Sequence, residues 1–144
     1  MTLENTLLAL PASLIAGVLL GGVFVLLIRR LGAKGEIAFL ALGLVVAAGL
    51  YVAFAGARDG MEKMPLEFAG LLLFGATAAA GARFWPPLIG IGWLAHGAWD
   101  ILLHWPPPRY VPQLYPVFCV SFDLVVAVYV MFAHVRGSAS AARR

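Results

Sequence analysis

The sequence predicts an all-α protein, a bundle of about five transmembrane helices with the N-terminus outside and the C-terminus inside. Three observations predict this class: an apolar composition, five apolar runs of membrane-spanning length, and positive charges that collect on one side of the predicted bundle. Of 144 residues, 62% are hydrophobic and 12% are charged. Soluble domains are about 25% charged, so a soluble fold is not expected. The chain has the size of one domain, residues 1–144.

The apolar runs are separated by charges or turn residues, and each approaches the ~20 residues needed to cross a bilayer. Helices are expected because backbone groups in lipid must be paired within their own segment, and none of the runs alternates like a barrel strand. The first run differs from a signal peptide, since Glu4 precedes it and Arg29 and Arg30 follow it. The predicted helices span residues 6–28, 36–56, 66–84, 87–105 and 115–135.

Positive charges set the predicted orientation. An outside N-terminus leaves three basic residues outside, Arg58, Lys63 and Arg109, and places the other seven in the cytoplasm. The positive-inside rule therefore favours N-out, C-in. The cytoplasmic set is Arg29, Arg30, Lys34, Arg83, Arg136, Arg143 and Arg144.

The connections are informative as well. Pro86 and Pro87 predict a tight hairpin between the third and fourth helices, because proline cannot continue a helix. The outer loop, residues 104–115, contains four prolines with Trp105 and Tyr110, and we interpret it as an aromatic belt at the headgroup level, with a lid as the alternative.

Cys119 is the single cysteine, so no internal disulfide can form. The net charge of +3 sits at segment ends, and nucleic acid is not an expected partner.

Ionisable side chains interrupt the apolar runs. In the fourth helix, His96, Asp100 and His104 follow at steps of four residues and share one face. An ionisable group near the bilayer centre costs roughly 2.5 kcal/mol or more, so such groups should face the bundle interior or a wet cavity. The third and fifth helices add Glu67, Tyr115, Cys119 and Asp123.

These groups all fall in the outer half of the predicted bundle. We therefore expect a polar pocket between the third, fourth and fifth helices that opens outward. At ~1.5 Å per residue, the expected depths are near the surface for Glu67 and His104, ~6 to 8 Å for Asp100 and Cys119, and ~12 Å for His96 and Asp123.

One interpretation of the pocket is a metal site, because imidazole, carboxylate and thiolate are ligands of zinc, copper and iron. His96 and His104 are ~12 Å apart along a straight helix, so one ion would use Asp100 with only one of them. Asp123, Cys119 or Glu67 would complete the set. The expected cofactor is a divalent transition metal such as zinc, with Asp100, His104, Cys119 and Asp123 as predicted ligands.

Two other interpretations stay open. Burial shifts the ionisation of carboxyl and imidazole groups, which suits them to a proton relay or to binding a small polar or cationic ligand. Alternatively, Asp100, His96 and Asp123 only hydrogen-bond across the bundle and hold the helices together. Trp93 and Trp99 could line a ligand site or simply pack, and His134 is interpreted as an interfacial residue.

The stretch from Ile89 to Asp100, Ile-Gly-Ile-Gly-Trp-Leu-Ala-His-Gly-Ala-Trp-Asp, resembles the small bacterial integral membrane proteins grouped as domain of unknown function 6010. His104, a proline-bearing loop, Cys119 and Asp123 extend the resemblance, as does the pair Glu67-Phe68. A single His104 stands where the family is associated with paired histidines. The resemblance implies a fold, a shared site and a bacterial inner (plasma) membrane location, without an activity.

The sequence thus predicts a multi-pass membrane protein whose pocket binds a metal ion or small ligand, with a catalytic role left open. In that role Asp100 or Asp123 would be general base or metal ligand, His96 and His104 acid/base groups or ligands, and Glu67 a gate. One alternative is a proton-coupled transporter or channel subunit in a homo-oligomer, although the inner halves of the last three helices offer only Thr77 and His134 as polar groups. A structural or accessory membrane protein is the second alternative. The predicted ligand pocket comprises Glu67, Trp93, Trp99 and Tyr115.

Overall fold

Five α-helices account for almost all of the computed structural model, which describes the backbone of residues 3–141 and the side chains of residues 9–133. The part of the chain so described contains no β-strand. Predicted roles for His134, Arg136, Arg143 and Arg144 fall outside the described side chains. The helices are α1 (Leu3–Ile28), α2 (Gly32–Ala57), α3 (Met64–Arg83), α4 (Pro87–His104) and α5 (Tyr115–Ala141).

The connection between α1 and α2 is one short 3-10 turn, Arg29–Leu31. Gly32 follows with φ of 71°, a left-handed conformation that glycine adopts without a steric penalty. The helix therefore resumes at Gly32, four residues before the predicted start at Glu36. The charge of Lys34 suggested a longer loop, but this exposed side chain sits on the first turn of α2.

The other loops follow the prolines. Between α3 and α4 the chain turns within residues 84–86, and the Phe84 N–H donates to the Ala80 carbonyl to close the end of α3. The segment between α4 and α5, residues 105–114, folds back over the bundle end. There Tyr110 and Val111 are buried in a small cluster with Tyr51 and Ala55 of α2.

Around the bundle, α5 packs against α1 and α4, and α3 packs against α2 and α4. α1 and α2 contact each other much less. The main core draws on all five helices, and its largest buried members include Ile28, Leu40, Phe74, Ile89 and Trp93. Close approach of α1 to α5 depends on Gly17, where a Cβ would overlap the Phe118 carbonyl oxygen and Ser121 Oγ.

The outside of the bundle is apolar. Large aliphatic side chains such as Leu19, Leu72 and Leu102 are 63%, 63% and 77% exposed, which is the reverse of a soluble surface. Within the described residues, three segments are long and apolar enough to cross a membrane: Ala9–Ala57, which covers α2 and most of α1, Met61–Arg83, and Tyr115–Ala133. α4 is not among them, and it is the helix that carries the His/Asp face. These segments indicate a membrane protein, whereas five crossings and the N-out orientation stay predictions.

Candidate functional site

The ionisable face of α4 points into the bundle. His96, Asp100 and His104 are each 0% exposed, while Ile101 and Leu102 on the opposite side of α4 are more than half exposed. Steps of four residues place the three polar groups one above the other on the same helical face. Asp123 of α5 and Glu67 of α3 are buried opposite them, each 1% exposed.

His96, Asp100 and Asp123 form what we call the inner cluster. His96 Nδ1 lies 2.8 Å from Asp123 Oδ2 and 3.7 Å from Asp100 Oδ2. One ligand atom from each residue falls within 4.8 Å of the others. Two helices therefore bring a histidine and two carboxylates to one point.

Glu67, His104 and Tyr110 form a second group, the outer cluster. His104 Nε2 is 3.0 Å from Glu67 Oε1, and the Tyr110 hydroxyl donates to the same oxygen at 2.6 Å. Burial, and next the hydrogen bond to Glu67, raise the pKa of Tyr110, so its hydroxyl stays protonated as a donor. Because Tyr110 belongs to the 105–114 loop, these bonds tie the loop to α3 and α4.

Tyr51 of α2 lies between the two clusters. Its ring stacks on the His104 ring with centroids 4.0 Å apart, and the His96 ring centroid is 6.0 Å away. Tyr51 also adjoins Asp100. Tyr51 is not among the residues predicted from the sequence, although it is the only polar side chain of α2 after Glu36, and this isolation in an apolar helix was an available signal.

Several polar atoms of the site have no hydrogen-bond partner within the protein. A buried unsatisfied donor or acceptor costs about 1–3 kcal/mol, and folded proteins pair nearly all of them. Asp100 is the extreme case, because both of its carboxylate oxygens are unpaired. The site thus offers donors and acceptors for a bound group, namely Tyr51 OH, His96 Nε2, Asp100 Oδ1 and Oδ2, and His104 Nδ1.

The remaining predicted residues have other surroundings. Trp93 donates its indole N–H to the Leu40 carbonyl and packs in the core, and Trp99 packs edge-on against Phe74. Tyr115 meets Tyr51 and Phe54 edge-on. Of the predicted metal ligands, Asp100 and Asp123 belong to the inner cluster together with His96, whereas the other two, His104 and Cys119, lie outside that group.

The predicted outward opening is covered by the 105–114 loop. Tyr110 and Val111 are 5% and 4% exposed and seal the outer cluster from the loop side. The loop therefore covers the outer cluster on this side. An outward-opening pocket stays a prediction.

Fold and site together define an all-α protein with membrane-type segments and a buried cluster of ionisable side chains. The chain belongs to the family of unknown function DUF6010, whose model matches residues 12–136. The matched region contains every residue of both clusters and Tyr51. No curated protein and no solved structure matches the chain.

Proposed function

We propose that this protein is a multi-pass membrane protein that binds a divalent transition metal ion, with zinc as the expected metal, at the inner cluster. The observation that carries the proposal is the convergence of His96, Asp100 and Asp123 with both Asp100 oxygens unpaired in a fully buried position. We place it in the bacterial inner (plasma) membrane with the clusters on the outer side.

Distances within the inner cluster suit a small metal ion. Bonds of about 2.0–2.2 Å in a tetrahedral site put neighbouring ligand atoms ~3.3 Å apart. The separations from His96 Nδ1 to Asp123 and Asp100, 2.8 and 3.7 Å, lie on either side of that value. Small side-chain rotations would equalise them. Three protein ligands leave one coordination position free, as in catalytic zinc sites.

Charge balance supports the same proposal. Two carboxylates buried in an apolar bundle cost several kcal/mol per ion unless an opposite charge compensates them. A divalent cation neutralises Asp100 and Asp123 together, whereas a protonated His96 neutralises only one of them. The metal would therefore bind a carboxylate whose two oxygens accept no hydrogen bond from the protein.

Metal analysis of the purified protein tests the proposal. We expect about one zinc or similar ion per chain in detergent-purified protein and a loss of most of it in Asp100→Asn, which keeps the side-chain volume. Glu36→Gln is the matched control, because Glu36 pairs with Tyr129 away from the clusters. If the purified protein neither contains a metal nor takes one up on titration with zinc, manganese, iron or copper, the proposal fails.

A stability measurement gives a second readout. A ligand that binds only the folded protein stabilises it by about 2.7 kcal/mol at 100 times its dissociation constant. Added zinc should raise the melting temperature of metal-stripped wild type and of Glu36→Gln, but not that of Asp100→Asn. Equal shifts in all three proteins would indicate binding elsewhere.

A proton relay is the second candidate, and the position of Tyr51 favours it. Tyr51 stacks on His104 and adjoins Asp100, so polar groups continue from Tyr110 through Glu67 and His104 towards the inner cluster. A transporter would need this path to continue inward, and the Thr77 hydroxyl there bonds only to the Leu73 carbonyl of its own helix. A homo-oligomer could supply the remainder. Proton uptake by reconstituted protein that disappears in His104→Gln, with no bound metal, would favour this candidate.

A further inference from the structure

A polar cleft lies between the 105–114 loop and the C-terminal end of α2. Its volume is about 450 Å³, which falls within the range of about 300–1,000 Å³ that is usual for ligand sites. Arg58 lines the cleft from the end of α2, and Arg109 lines it from the loop, together with the loop prolines, Val111 and Gln113. We call it the Arg58–Arg109 cleft.

Tight packing next to the cleft brings the two arginines together. Gly60 lies against the ring of Tyr110, and a Cβ added to Gly60 would lie 2.8 Å from Tyr110 Cγ and 2.7 Å from Ala55 Cα. The Gly60 N–H also donates to the Ala55 carbonyl at 3.1 Å, which closes the turn after α2. Arg58 precedes Gly60 by two residues and Arg109 precedes Tyr110 by one, so this contact holds both backbones in place.

The positive charge of the cleft is not neutralised. Both arginines are exposed, and neither forms an ion pair with any of the side chains described for residues 9–133. No carboxylate lines the cleft. The third basic residue expected on the outer side, Lys63, lies 3.7 Å from a Glu62 carboxylate oxygen. Because outer loops carry few positive charges, two unpaired arginines in one cleft favour a binding role over a generally charged surface.

The cleft lies where the apolar surface of the bundle ends. Leu102 and Leu103, near the end of α4, are 77% and 44% exposed, and Trp105 just after α4 is 42% exposed. The prolines and Arg109 follow. A change from exposed aliphatic to aromatic and then to basic side chains is typical of the level of the lipid headgroups.

The chemistry of the two arginines selects the ligand. A guanidinium group presents its N–H donors as a planar fork that fits two oxygens of a phosphate group, and it is charged at any physiological pH. Two such forks from different chain segments can hold one phosphate between them. At the headgroup level, phosphate groups are supplied by the lipids themselves.

We propose that the Arg58–Arg109 cleft binds the phosphate group of an anionic membrane phospholipid such as phosphatidylglycerol. Arg58 and Arg109 each donate to the phosphate oxygens, one from the end of α2 and the other from the loop. The prolines stiffen the loop, so little conformational entropy is lost on binding. This site goes beyond the proposed metal function, because no residue that lines the cleft belongs to either cluster.

Native mass spectrometry of the full-length protein tests the cleft. The protein is delipidated in a neutral detergent and titrated with phosphatidylglycerol, and we expect saturable binding to the wild type. Arg58→Gln and Arg109→Gln should each weaken it about tenfold, since a hydrogen-bonded charge pair is lost in each. Both arginines are exposed, so both variants should fold.

Lys63→Gln is the matched control. It removes a positive charge from the same side of the protein but does not line the cleft, so phosphatidylglycerol binding should be unchanged. An equal loss in all three variants would mean that only the net charge attracts the lipid, and the proposal would be overturned. Unchanged binding in both arginine variants would overturn it as well.

Inorganic phosphate distinguishes a lipid from a soluble ligand. At millimolar concentration it should not displace phosphatidylglycerol from the wild type, because the acyl chains hold the lipid at the bundle surface. If inorganic phosphate displaces the lipid and itself stabilises the wild type but not Arg109→Gln against thermal unfolding, the cleft is a site for soluble phosphate compounds. That result would overturn the assignment to a phospholipid.

Discussion

Asp100 and Asp123 approach His96 from two different helices, but only Asp123 is within hydrogen-bonding distance of the imidazole. The 2.8 Å contact satisfies one oxygen of Asp123, while neither oxygen of Asp100 has a hydrogen-bond partner, its nearest imidazole nitrogen being 3.7 Å away. An unpaired buried carboxylate destabilises a fold. Asp100 therefore resembles a residue retained for binding at a cost in stability.

Because Asp123 has a hydrogen-bond partner and Asp100 has none, replacing each of them by asparagine should change the free energy of unfolding in opposite directions. Asp100→Asn removes a buried charge that accepts no hydrogen bond and should raise the free energy of unfolding of the metal-free protein by about 1 kcal/mol or more. Asp123→Asn breaks the bond to His96 and should lower it by about 1–3 kcal/mol. Denaturant titration in detergent after chelator treatment measures both. Loss of stability in both variants would show that Asp100 has a structural role.

The Tyr110 hydroxyl holds the loop to the outer cluster, and its deletion has a clear matched control. Tyr110→Phe removes a fully buried bond to a carboxylate and should lower the free energy of unfolding by about 1.5–3 kcal/mol. Tyr129→Phe removes the corresponding bond to Glu36 in a partly buried position and should cost less. Faster proteolysis within residues 105–114 should accompany only Tyr110→Phe. Equal losses of stability in both variants would contradict the inference that the Tyr110 hydroxyl holds the loop to the outer cluster.

At the residue scale, the sequence identified the groups on α4 but not all of their partners. Steps of four residues sufficed to place His96, Asp100 and His104 on one buried face. Tyr51 and Tyr110 belong to an apolar helix and a loop, and no periodicity relates them to α4. The contact of Tyr110 depends on how the loop folds over the bundle end, and that of Tyr51 on how α2 packs against α4. Local sequence patterns encode neither.

At the element scale, α1 depends on α5 for its packing. Ser13 Oγ donates to the Leu114 carbonyl, and Gly17 and Gly21 lie against the first turns of α5. Small residues at this spacing let two backbones approach closely. Because the two glycines have no side chains, the contact between α1 and α5 relies on close van der Waals packing.

Alanine substitution on the two faces of α1 tests the contact between α1 and α5. Gly17→Ala places a Cβ against the Phe118 carbonyl oxygen and should lower the free energy of unfolding by about 1–3 kcal/mol. Gly22→Ala meets nothing within 4 Å and, since alanine favours helix, should not lower it. Thermal unfolding followed by circular dichroism compares the two. Equal behaviour would mean that α1 is not tightly packed on α5.

Helix limits were predictable where proline or a cluster of turn residues sets them. α4 begins at Pro87 and α5 at Tyr115, as the prolines around them indicate. α2 begins at Gly32, before the predicted start at Glu36. The charge of Lys34 marks a helix end only as a statistical tendency, and the turn at Gly32 needs few residues. Charges on a first helical turn are compatible with a membrane interface.

At the scale of the whole molecule, the number of crossings depends on α4. Its polar face lowers its hydropathy, yet that face is buried against the other helices, so the surface offered to lipid remains apolar. A helix with a polar face turned inward can cross a membrane as part of a bundle. Five crossings with an outside N-terminus therefore remain our expectation.

Cysteine labelling in intact cells measures the topology directly. In a Cys119→Ala background, a membrane-impermeant maleimide should label Arg109→Cys from outside and leave Lys34→Cys and Arg83→Cys unlabelled until lysis. All three positions are exposed. If positions 83 and 109 label alike, α4 does not cross. Labelling at position 34 from outside would invert the orientation.

The weak contact between α1 and α2 also bears on biosynthesis. α1 packs mainly against α5, and α2, α3 and α4 are translated between these two helices. During synthesis α1 remains without its main partner until α5 leaves the ribosome. Contacts between distant chain segments form slowly and leave early segments exposed to wrong partners. Chains truncated before α5 should therefore be recognised and degraded, even with their first four helices complete.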